Sequence, residues 1–441
     1  MRWIKQVKRW PTVVFDMLRW VVGRHPRVVI GVWLALAGLV FFLAPDLTQL
    51  AAEGQANLLP KDSESGRGAE LLRRYWPDQW FDSMAVLALH RPSGLTEADR
   101  QYASTLERHL AGAGRPEVIL RVLGPNSQKE VAERLVSRDG TVQLLALPFS
   151  ASFVSPATLR AVEWLEHQPA AQGMKPPAGL EVRWSGDSVI GRDYMRNVQT
   201  SLDRAALATV ILLLLVLMAV YRSPLLAAVP LLSIGVCLVI SRGILAWMVR
   251  AGWEISPLVE LFLIVLLFGS GTDFCLFISW RFGEHWNAAN PAGAMRATMR
   301  YAIHPLLASA GTVIIGLSLM GTTRFKLFSS TGPSVAIGLA ITLLAVLTLT
   351  PAFLVVLAKY RPRSFAGLTS PPSGFWNDVG QRVLGRPIIT WLGTVILMLP
   401  AVVLGFSTWF IQDTLSEMPE STASVENLRF VTKKFGPGFV A

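Results

Sequence analysis

Long apolar blocks, separated by short polar connections, run through most of this 441-residue chain. A helix needs about 20 mostly apolar residues to cross the hydrocarbon core of a bilayer. The pattern predicts about seven membrane helices, at residues 28–44, 205–221, 224–240, 256–280, 305–320, 333–357 and 388–406. The shortest blocks, such as 305–320, are also compatible with buried core helices.

The segment 45–203 has a different pattern, in which short alternating stretches and helical periodicity follow one another. Helices are predicted at 96–110, 128–136 and 155–167, and a further helix runs from Ser188 into the second span. Strands are predicted at 83–90, 117–123, 141–149 and 180–184. This order predicts a polytopic α-helical membrane protein that carries one α+β domain of the split βαβ, ferredoxin-like kind.

The distribution of basic residues predicts the orientation. A net charge of +11 and a pI near 10.0 could indicate a nucleic-acid partner or a membrane surface. Lys and Arg are concentrated in the N-terminal arm and in alternate short loops, as the positive-inside rule requires of cytoplasmic segments. The chain is therefore predicted to lie in the inner membrane with a cytoplasmic N-terminus, an external segment 45–203 and no nucleic-acid partner.

These patterns divide the chain into seven regions. The first apolar run is longer than the core of a signal peptide and no A-x-A site follows it, so it is predicted to be a retained anchor. Trp3, Trp10 and Trp20 suit an arm in the membrane interface, although a solvated basic arm is the alternative. The predicted regions are an amphipathic arm (1–27), the first helix (28–44), the external domain (45–203), a five-helix bundle (204–358), a cytoplasmic linker (359–387), the seventh helix (388–407) and the start of a second external domain (408–441).

An internal repeat supports the last of these regions. Residues 59–65 resemble residues 418–424, and at the same offset Leu72 corresponds to Val431 and Trp76 to Phe435. Leu71 corresponds to Phe430 and Arg74 to Lys433 at this offset. The period of about 360 residues contains six membrane helices, which is the parallel-repeat plan of some secondary transporters. Chance similarity between two loops is the alternative, and the second copy predicts that a C-terminal half belongs with this chain.

Recognisable catalytic and metal-binding motifs are missing from the sequence. It contains no G-x-S-x-G, H-E-x-x-H or Walker A pattern, so we expect neither an enzyme nor a cofactor or metal site. His90, His109 and His167 are expected to be ordinary histidines, and Cys237 and Cys275 to be small apolar residues. Trp76, Trp80 and Phe81 could line a lipid-accessible cleft or pack in a core.

The residue with the clearest functional signal is Asp273, which lies within the fourth apolar block. Inserting an aspartate near the centre of a membrane helix costs about 2.5–3.5 kcal/mol, so intramembrane carboxylates are usually functional. Apolar surroundings disfavour the charged form, so such a group can hold a proton and release it when water or a cation arrives. The sequence therefore predicts a proton relay at Asp273, with a structural aspartate bonded to hydroxyls as the alternative.

Neighbouring residues are expected to shape that relay. Thr272, Gly269 and Gly271 keep the helix slim around the carboxylate, and Gly316 belongs to a small-residue row with Ala308 and Thr312 that predicts close helix packing. Because no Lys, Arg or His is predicted at the same depth, a complete relay is expected to need a further partner. The possible hydroxyl partners are Ser309, Thr312 and Thr342.

The stretch from Gly271 to Glu284 resembles the fourth-helix signature of the RND superfamily, specifically its MMPL branch of lipid and hydrophobe exporters. Ser185-Gly186-Asp187 resembles the Thr-Gly element that ends the external domain in that branch. The resemblance implies a porter domain outside the membrane and proton transfer at Asp273. Phe274 takes the place of the family's tyrosine and cannot donate a hydrogen bond.

The resemblance implies a half-transporter that uses the proton-motive force to export lipids or other hydrophobic molecules across the cytoplasmic membrane. Its expected partners are a hydrophobic substrate, protons, a C-terminal half and possible oligomer subunits. A non-transporting scaffold or sensor on the same fold is the alternative. A membrane enzyme is disfavoured because no polar cluster lies at a membrane interface.

Overall fold

The structure is a computed structural model that describes residues 23–54, 64–77, 79–112, 114–171, 173–256, 258–365, 374–406, 418–419 and 422–436. Residues 1–22 of the predicted arm (1–27), most of the first repeated loop and residues 407–417 lie outside the described residues. In chain order the elements are α1 (Pro26–Leu43), α2 (Leu47–Gly54), α3 (Glu64–Tyr75), β1 (Ser83–His90), α4 (Glu97–Leu110), α5 (Lys129–Arg134), β2 (Val142–Phe149), α6 (Pro156–Ala171), β3 (Glu181–Ser185), α7 (Asp187–Tyr221), α8 (Pro224–Arg250), α9 (Leu258–Glu284), α10 (Pro291–Leu319), α11 (Lys326–Tyr360), α12 (Gly374–Gly385), α13 (Pro387–Phe406) and α14 (Ala423–Phe435).

Seven helices among the described residues are long and apolar enough to cross a membrane, which confirms the predicted number. They are α1, α7, α8, α9, α10, α11 and α13. Helix α11 lies at the centre of the bundle, where most of its residues between Ser330 and Ala358 are buried and the helix packs against α8, α9 and α10. By contrast, α13 buries no side chain against the described part of the chain.

Two membrane helices begin earlier than the apolar blocks predict. Helix α10 starts at Pro291 and α11 at Lys326, so Pro305 and Pro333 lie inside helices and not at their ends. Hydropathy marks only the apolar part of a helix, whereas the backbone hydrogen bonds continue through polar turns. Proline within a membrane helix is tolerated because neighbouring groups satisfy the freed carbonyls.

The domain between the first two membrane helices, which is predicted to be external and is called the external domain below, is built on a three-stranded antiparallel sheet in the order β2-β1-β3. Leu87 in the central strand pairs with Leu145 on one side and Trp184 on the other. Helix α4, predicted at 96–110, begins with a capping box in which Thr96 and Asp99 each bond to the other's backbone. The α+β class is therefore confirmed, and a ferredoxin-like arrangement stays a prediction.

The predicted strand at 117–123 is wrong as a regular strand. This segment follows the edge of β2 with only two isolated bridges, Ile119 to Phe149 and Leu123 to Ala146. Leu120 donates its backbone N–H to the carbonyl of Pro148 at 2.9 Å. Proline has no N–H to return that bond, so the ladder is interrupted between the two bridges.

The two faces of the sheet belong to different cores. Ala85, Leu87 and Leu89 face α4 and α6 and are fully buried. Val86 and Ala88 face the other way and pack against Val431 of α14, which is likewise fully buried. The segment after the seventh span therefore covers the back of the first external sheet, which the sequence pattern did not predict.

Candidate functional site

Asp273 lies in the middle of α9 on the side of the helix that faces away from the bundle. Its side chain is exposed, in a row at helical spacing with Phe262, Val265, Gly269 and Trp280. The opposite side of α9 is buried in the bundle through Leu263, Leu267, Cys275, Ile278 and Phe282. Asp273 therefore belongs to the outer surface of the helix bundle that the described residues form.

The carboxylate of Asp273 makes no hydrogen bond or ion pair with any residue that the structure describes. A charged carboxylate on a lipid-facing surface is costly, so intramembrane acids normally face protein or a water-filled cavity. The apolar enclosure expected from the sequence is not supplied by the described chain. It stays a prediction that depends on what covers this face of α9.

The two neighbours of Asp273 point into the bundle. Thr272 is buried, and its hydroxyl donates to the carbonyl of Phe268 one turn earlier. Phe274 packs in the apolar cluster that contains Leu217 and Tyr221. Thr272 and Phe274 therefore lie on a different face of α9 from the carboxylate with which the sequence analysis grouped them.

The predicted hydroxyl partners lie in two places. Thr342 is fully buried in α11, and its hydroxyl donates to the Gly338 carbonyl at 2.9 Å. Ser309 and Thr312 are exposed on α10, where the Thr312 hydroxyl donates to the Ser309 carbonyl at 2.8 Å. The hydroxyls of Thr342 and Thr312 are thus bonded within their own helices, and a role for the three residues in proton transfer stays a prediction.

The three glycines singled out from the sequence also differ in their surroundings. A Cβ at Gly271 would lie 3.0 Å from Thr342 Cγ2 and 3.1 Å from Ile234 Cγ1, so glycine lets α8, α9 and α11 approach closely. A Cβ at Gly269 or Gly316 would meet no atom within 4 Å. Gly269 lies beside Asp273 on the open face of α9, where helix packing would require a further partner.

A buried polar network crosses the bundle interior behind Asp273. Thr350 Oγ1 lies 3.1 Å from Ser233 Oγ and 3.3 Å from Cys275 Sγ, which joins α11 to α8 and α9. Cys237 Sγ donates to the Ser233 carbonyl at 3.0 Å. Both cysteines are free and buried. These contacts satisfy polar groups inside the apolar core and fix the register of the three helices.

An ion pair that the sequence analysis missed joins two spans. Arg242 Nη2 of α8 lies 2.9 Å from Glu260 Oε1 of α9. Thr48 of α2 donates to the other Glu260 oxygen at 3.0 Å and lies 3.3 Å from Arg242. The sequence does show one basic and one acidic residue in consecutive apolar helices. It does not show that these two residues lie on the sides of the helices that face each other.

Several charged groups in the external domain form close pairs. Arg91 donates two hydrogen bonds to Asp99, at 2.6 and 2.8 Å, and these bonds hold the pKa of that carboxyl well below its usual range. Lys434 of α14 lies 2.5 Å from Asp139, and this contact is the largest cause of the lowered pKa of Asp139. His90 lies 3.2 Å from Glu181. Among the described residues, no group of three or more His, Cys, Asp or Glu side chains could hold a metal ion.

The aromatic residues near α3 form an open cleft. Leu72, Trp76, Gln79 and Trp80 line a space of about 290 Å³. Trp76 is more than half exposed, and Trp80 bonds through Nε1 to Asp82 at 3.0 Å. Trp76 is therefore a surface residue in the described chain, which argues against the core alternative for it.

Comparison with known proteins identifies relatives that match nearly the whole chain, including its membrane helices and its α+β domain. The putative membrane protein SCO5905 of Streptomyces coelicolor is 29% identical over 96% of this chain and 51% of its own length. The probable transport protein MmpL10 of Mycobacterium leprae is 27% identical over 93% of this chain and 41% of its own length. The putative membrane protein YdgH of Bacillus subtilis is 27% identical over 93% of this chain and 45% of its own length.

The chain thus spans about half the length of these relatives. The family model described as the MMPL family matches residues 57–390, which include the external domain, the five-helix bundle and Asp273. The relative MmpL10 is named as a probable transport protein. The match covers most of the chain, and this multi-pass membrane protein belongs to the MMPL family.

Proposed function

We propose that this chain is one half of a transporter that uses the proton-motive force to export lipids or other hydrophobic molecules across the cytoplasmic membrane. Its family supports membrane transport of the MmpL type. The hydrophobic substrate rests on the resemblance of residues 271–284 to the lipid-exporting branch. The external domain would act as the porter, with the ferredoxin-like arrangement predicted from its order of strands and helices.

The observation that carries proton coupling is the position of Asp273. It is an acid in the middle of an apolar helix, on the side where the described chain offers it no partner. Because an uncovered charge there is unfavourable, we infer that a second half covers it and that its protonation changes during transport. The half-length match to the relatives supports such a second half.

A cytoplasmic N-terminus is proposed on the grouping of basic residues at one end of the bundle. Arg27 at the start of α1 donates a hydrogen bond to the Tyr360 hydroxyl at the end of α11. Gly23 lies beside the side chain of Arg296 at the start of α10. Arg27 and Arg296 belong to the basic segments that the positive-inside rule assigns to the cytoplasm.

The test is Asp273→Asn, which keeps the size of the side chain but removes its titration. We expect export to fall to about one hundredth of the wild-type rate or less, because a single acid–base group typically contributes about 100-fold or more. Export is measured by mass spectrometry of envelope lipids in cells that carry the full-length transporter, with and without an uncoupler.

The matched control is Glu284→Gln, which removes a carboxylate from the end of the same helix, where Glu284 pairs with Arg281 at 2.8 Å. This variant should keep export near the wild-type rate. Normal export by Asp273→Asn at normal expression would contradict proton coupling at this residue.

A second candidate function is a membrane scaffold or sensor without transport. It is favoured by Phe274, which lacks the hydroxyl of the family's tyrosine and packs in the bundle core. Proteoliposomes with a trapped pH-sensitive dye separate the two functions. Proton flux that depends on Asp273 supports the transporter, and its absence in the complete transporter with lipid substrate present supports the scaffold.

A further inference from the structure

Helix α14, which follows the seventh membrane span, packs against the back of the sheet in the external domain. Val431 is fully buried among Val86, Ala88, Leu144 and Ala146 on the back of the sheet. Leu428, Phe430 and Phe435 pack around it. A helix from the start of the second repeat thus completes the core of the first external domain.

Polar contacts fix the position of α14 on this sheet. Asn427 Nδ2 donates to the Trp184 carbonyl at 2.9 Å, and Ser185 Oγ donates to the Ser424 carbonyl at 3.2 Å. At the other end of the helix, Lys434 binds Asp139. The ring of Phe430 lies 4.8 Å from that of His90. The seat is therefore specific and involves both β3 and the β2 side of the sheet.

Helix α3 is the counterpart of α14 in the first repeat. At the offset that aligns the two repeats, Glu64 corresponds to Ala423, the first residue of α14, and Leu72 corresponds to the buried Val431. Leu71 and Trp76 correspond to Phe430 and Phe435, which contact the sheet in α14. Helix α3 thus repeats the apolar face with which α14 packs against the sheet.

That face of α3 is not covered by the described chain. Leu71 is 54% exposed, Leu72 45% and Trp76 54%. The helix is nevertheless held at its C-terminal end, because Arg73 pairs with Asp82 at 2.5 Å next to β1. Helix α3 thus has an exposed apolar face, and the matching face of its counterpart α14 packs against a sheet. Such a face indicates a docking surface.

We propose that α3 docks on the back of the sheet of a second external domain, in the position that α14 occupies on the first. The two halves of a full-length transporter would then exchange one helix each. The back of the sheet in this chain is already filled by α14, so neither this chain's own sheet nor that of a second copy is free to accept α3. The occupant is therefore the external domain of the second half.

This inference rests on the two-half organisation of the proposed function, but it does not depend on proton coupling. It is tested by placing the photoreactive residue benzoylphenylalanine at Leu72 in the full-length transporter in native membranes. We expect cross-links to strands of the second external domain, identified by mass spectrometry of the cross-linked peptides.

Two further positions serve as controls. Benzoylphenylalanine at Phe430 should cross-link to β1 or β3 of the first domain, which shows that the external domains are folded. The same residue at Glu70, an exposed polar position of α3, should give at most one tenth of the cross-linking at Leu72. Cross-links from Leu72 to lipid alone, to residues 23–436, or to a second copy of this chain would overturn the proposal. Transport by wild-type protein without the expected cross-link would overturn the helix exchange and leave the transport function standing.

Discussion

At the residue scale, Gly186 shows how one backbone position joins the external domain to the membrane. Its φ is +94°, and a Cβ there would lie 2.4 Å from the carbonyl oxygen of Met84. The next residue, Asp187, accepts a hydrogen bond from the Met84 backbone N–H at 2.5 Å. Glycine therefore allows α7, which becomes the second span, to start directly against β1.

We predict that Gly186→Ala destabilises the external domain by about 3 kcal/mol or more, because it adds a steric clash to an unfavourable backbone conformation. Gly140→Ala is the matched control. Gly140 also has a positive φ, of +66°, but a Cβ there meets no atom within 4 Å, so only about 1–2 kcal/mol should be lost. The stability of both variants is measured by thermal unfolding in detergent, with the protease resistance of the external domain as the readout. Equal losses in the two variants would contradict the steric explanation.

At the element scale, the back of the external sheet depends on a helix that is about 300 residues away in sequence. Successive side chains of a strand point to opposite faces of the sheet, and in β1 and β2 the side chains on both faces are mostly apolar. One layer of helices therefore cannot cover the sheet. Helices α4 and α6 cover one face, and α14 covers the other together with Leu123, Val131 and Leu135. The second cover is what allows Val86, Ala88 and Leu144 to be fully buried.

We predict that Val431→Ala weakens the seating of α14 by about 2 kcal/mol, because it removes two buried carbon atoms and leaves a cavity. Hydrogen exchange of the α14 amides should become faster by about 30-fold, whereas the α4 amides should change little. Lys433→Ala, at an exposed position of the same helix, is the control and should leave exchange nearly unchanged. Unchanged exchange in Val431→Ala would show that α14 is held by its polar contacts alone.

At the scale of the whole molecule, α14 brings the part of the chain after the seventh span back to the first external domain. One of the links is ionic and exposed, between Lys434 and Asp139. Lys434 holds the pKa of Asp139 below the usual value for a carboxyl group. A group with a lowered pKa in the folded state stabilises that state above its ordinary pKa and loses this contribution as the pH falls.

We therefore predict that the packing of α14 against the sheet is equally stable from pH 8 to about pH 5. It should weaken as the pH falls below about 4, the ordinary pKa of aspartate. Asp139→Asn should loosen α14 at neutral pH and reduce the acid dependence. The measurement is hydrogen exchange of α14 at several pH values, corrected for the intrinsic exchange rate. Glu133→Gln, which removes an exposed carboxylate on α5, should behave like the wild type. An acid dependence that Asp139→Asn leaves unchanged would assign the effect to another group.

Much of the architecture could be predicted because the signals are local. Apolar length predicted the seven membrane helices, helical periodicity predicted the helix that begins as α4, and short apolar stretches predicted the three strands that form the sheet. The regular strand at 117–123 was predicted wrongly because its pairing depends on Pro148 in another segment. For the site, the sequence indicated Asp273 as an acid within an apolar helix, but not the side of α9 on which it lies.

The sequence by itself determined that the chain enters a membrane many times, that one α+β domain lies between the first two spans, and that an acid lies within the fourth. Each of these follows from the free energy of transferring particular side chains between water and an apolar phase, which depends on the residues themselves. Only the tertiary structure decided that Asp273 faces outward, that Arg242 pairs with Glu260, and that α14 fills the back of the first sheet. These outcomes depend on which helix faces meet, and that is fixed by packing between segments far apart in the chain.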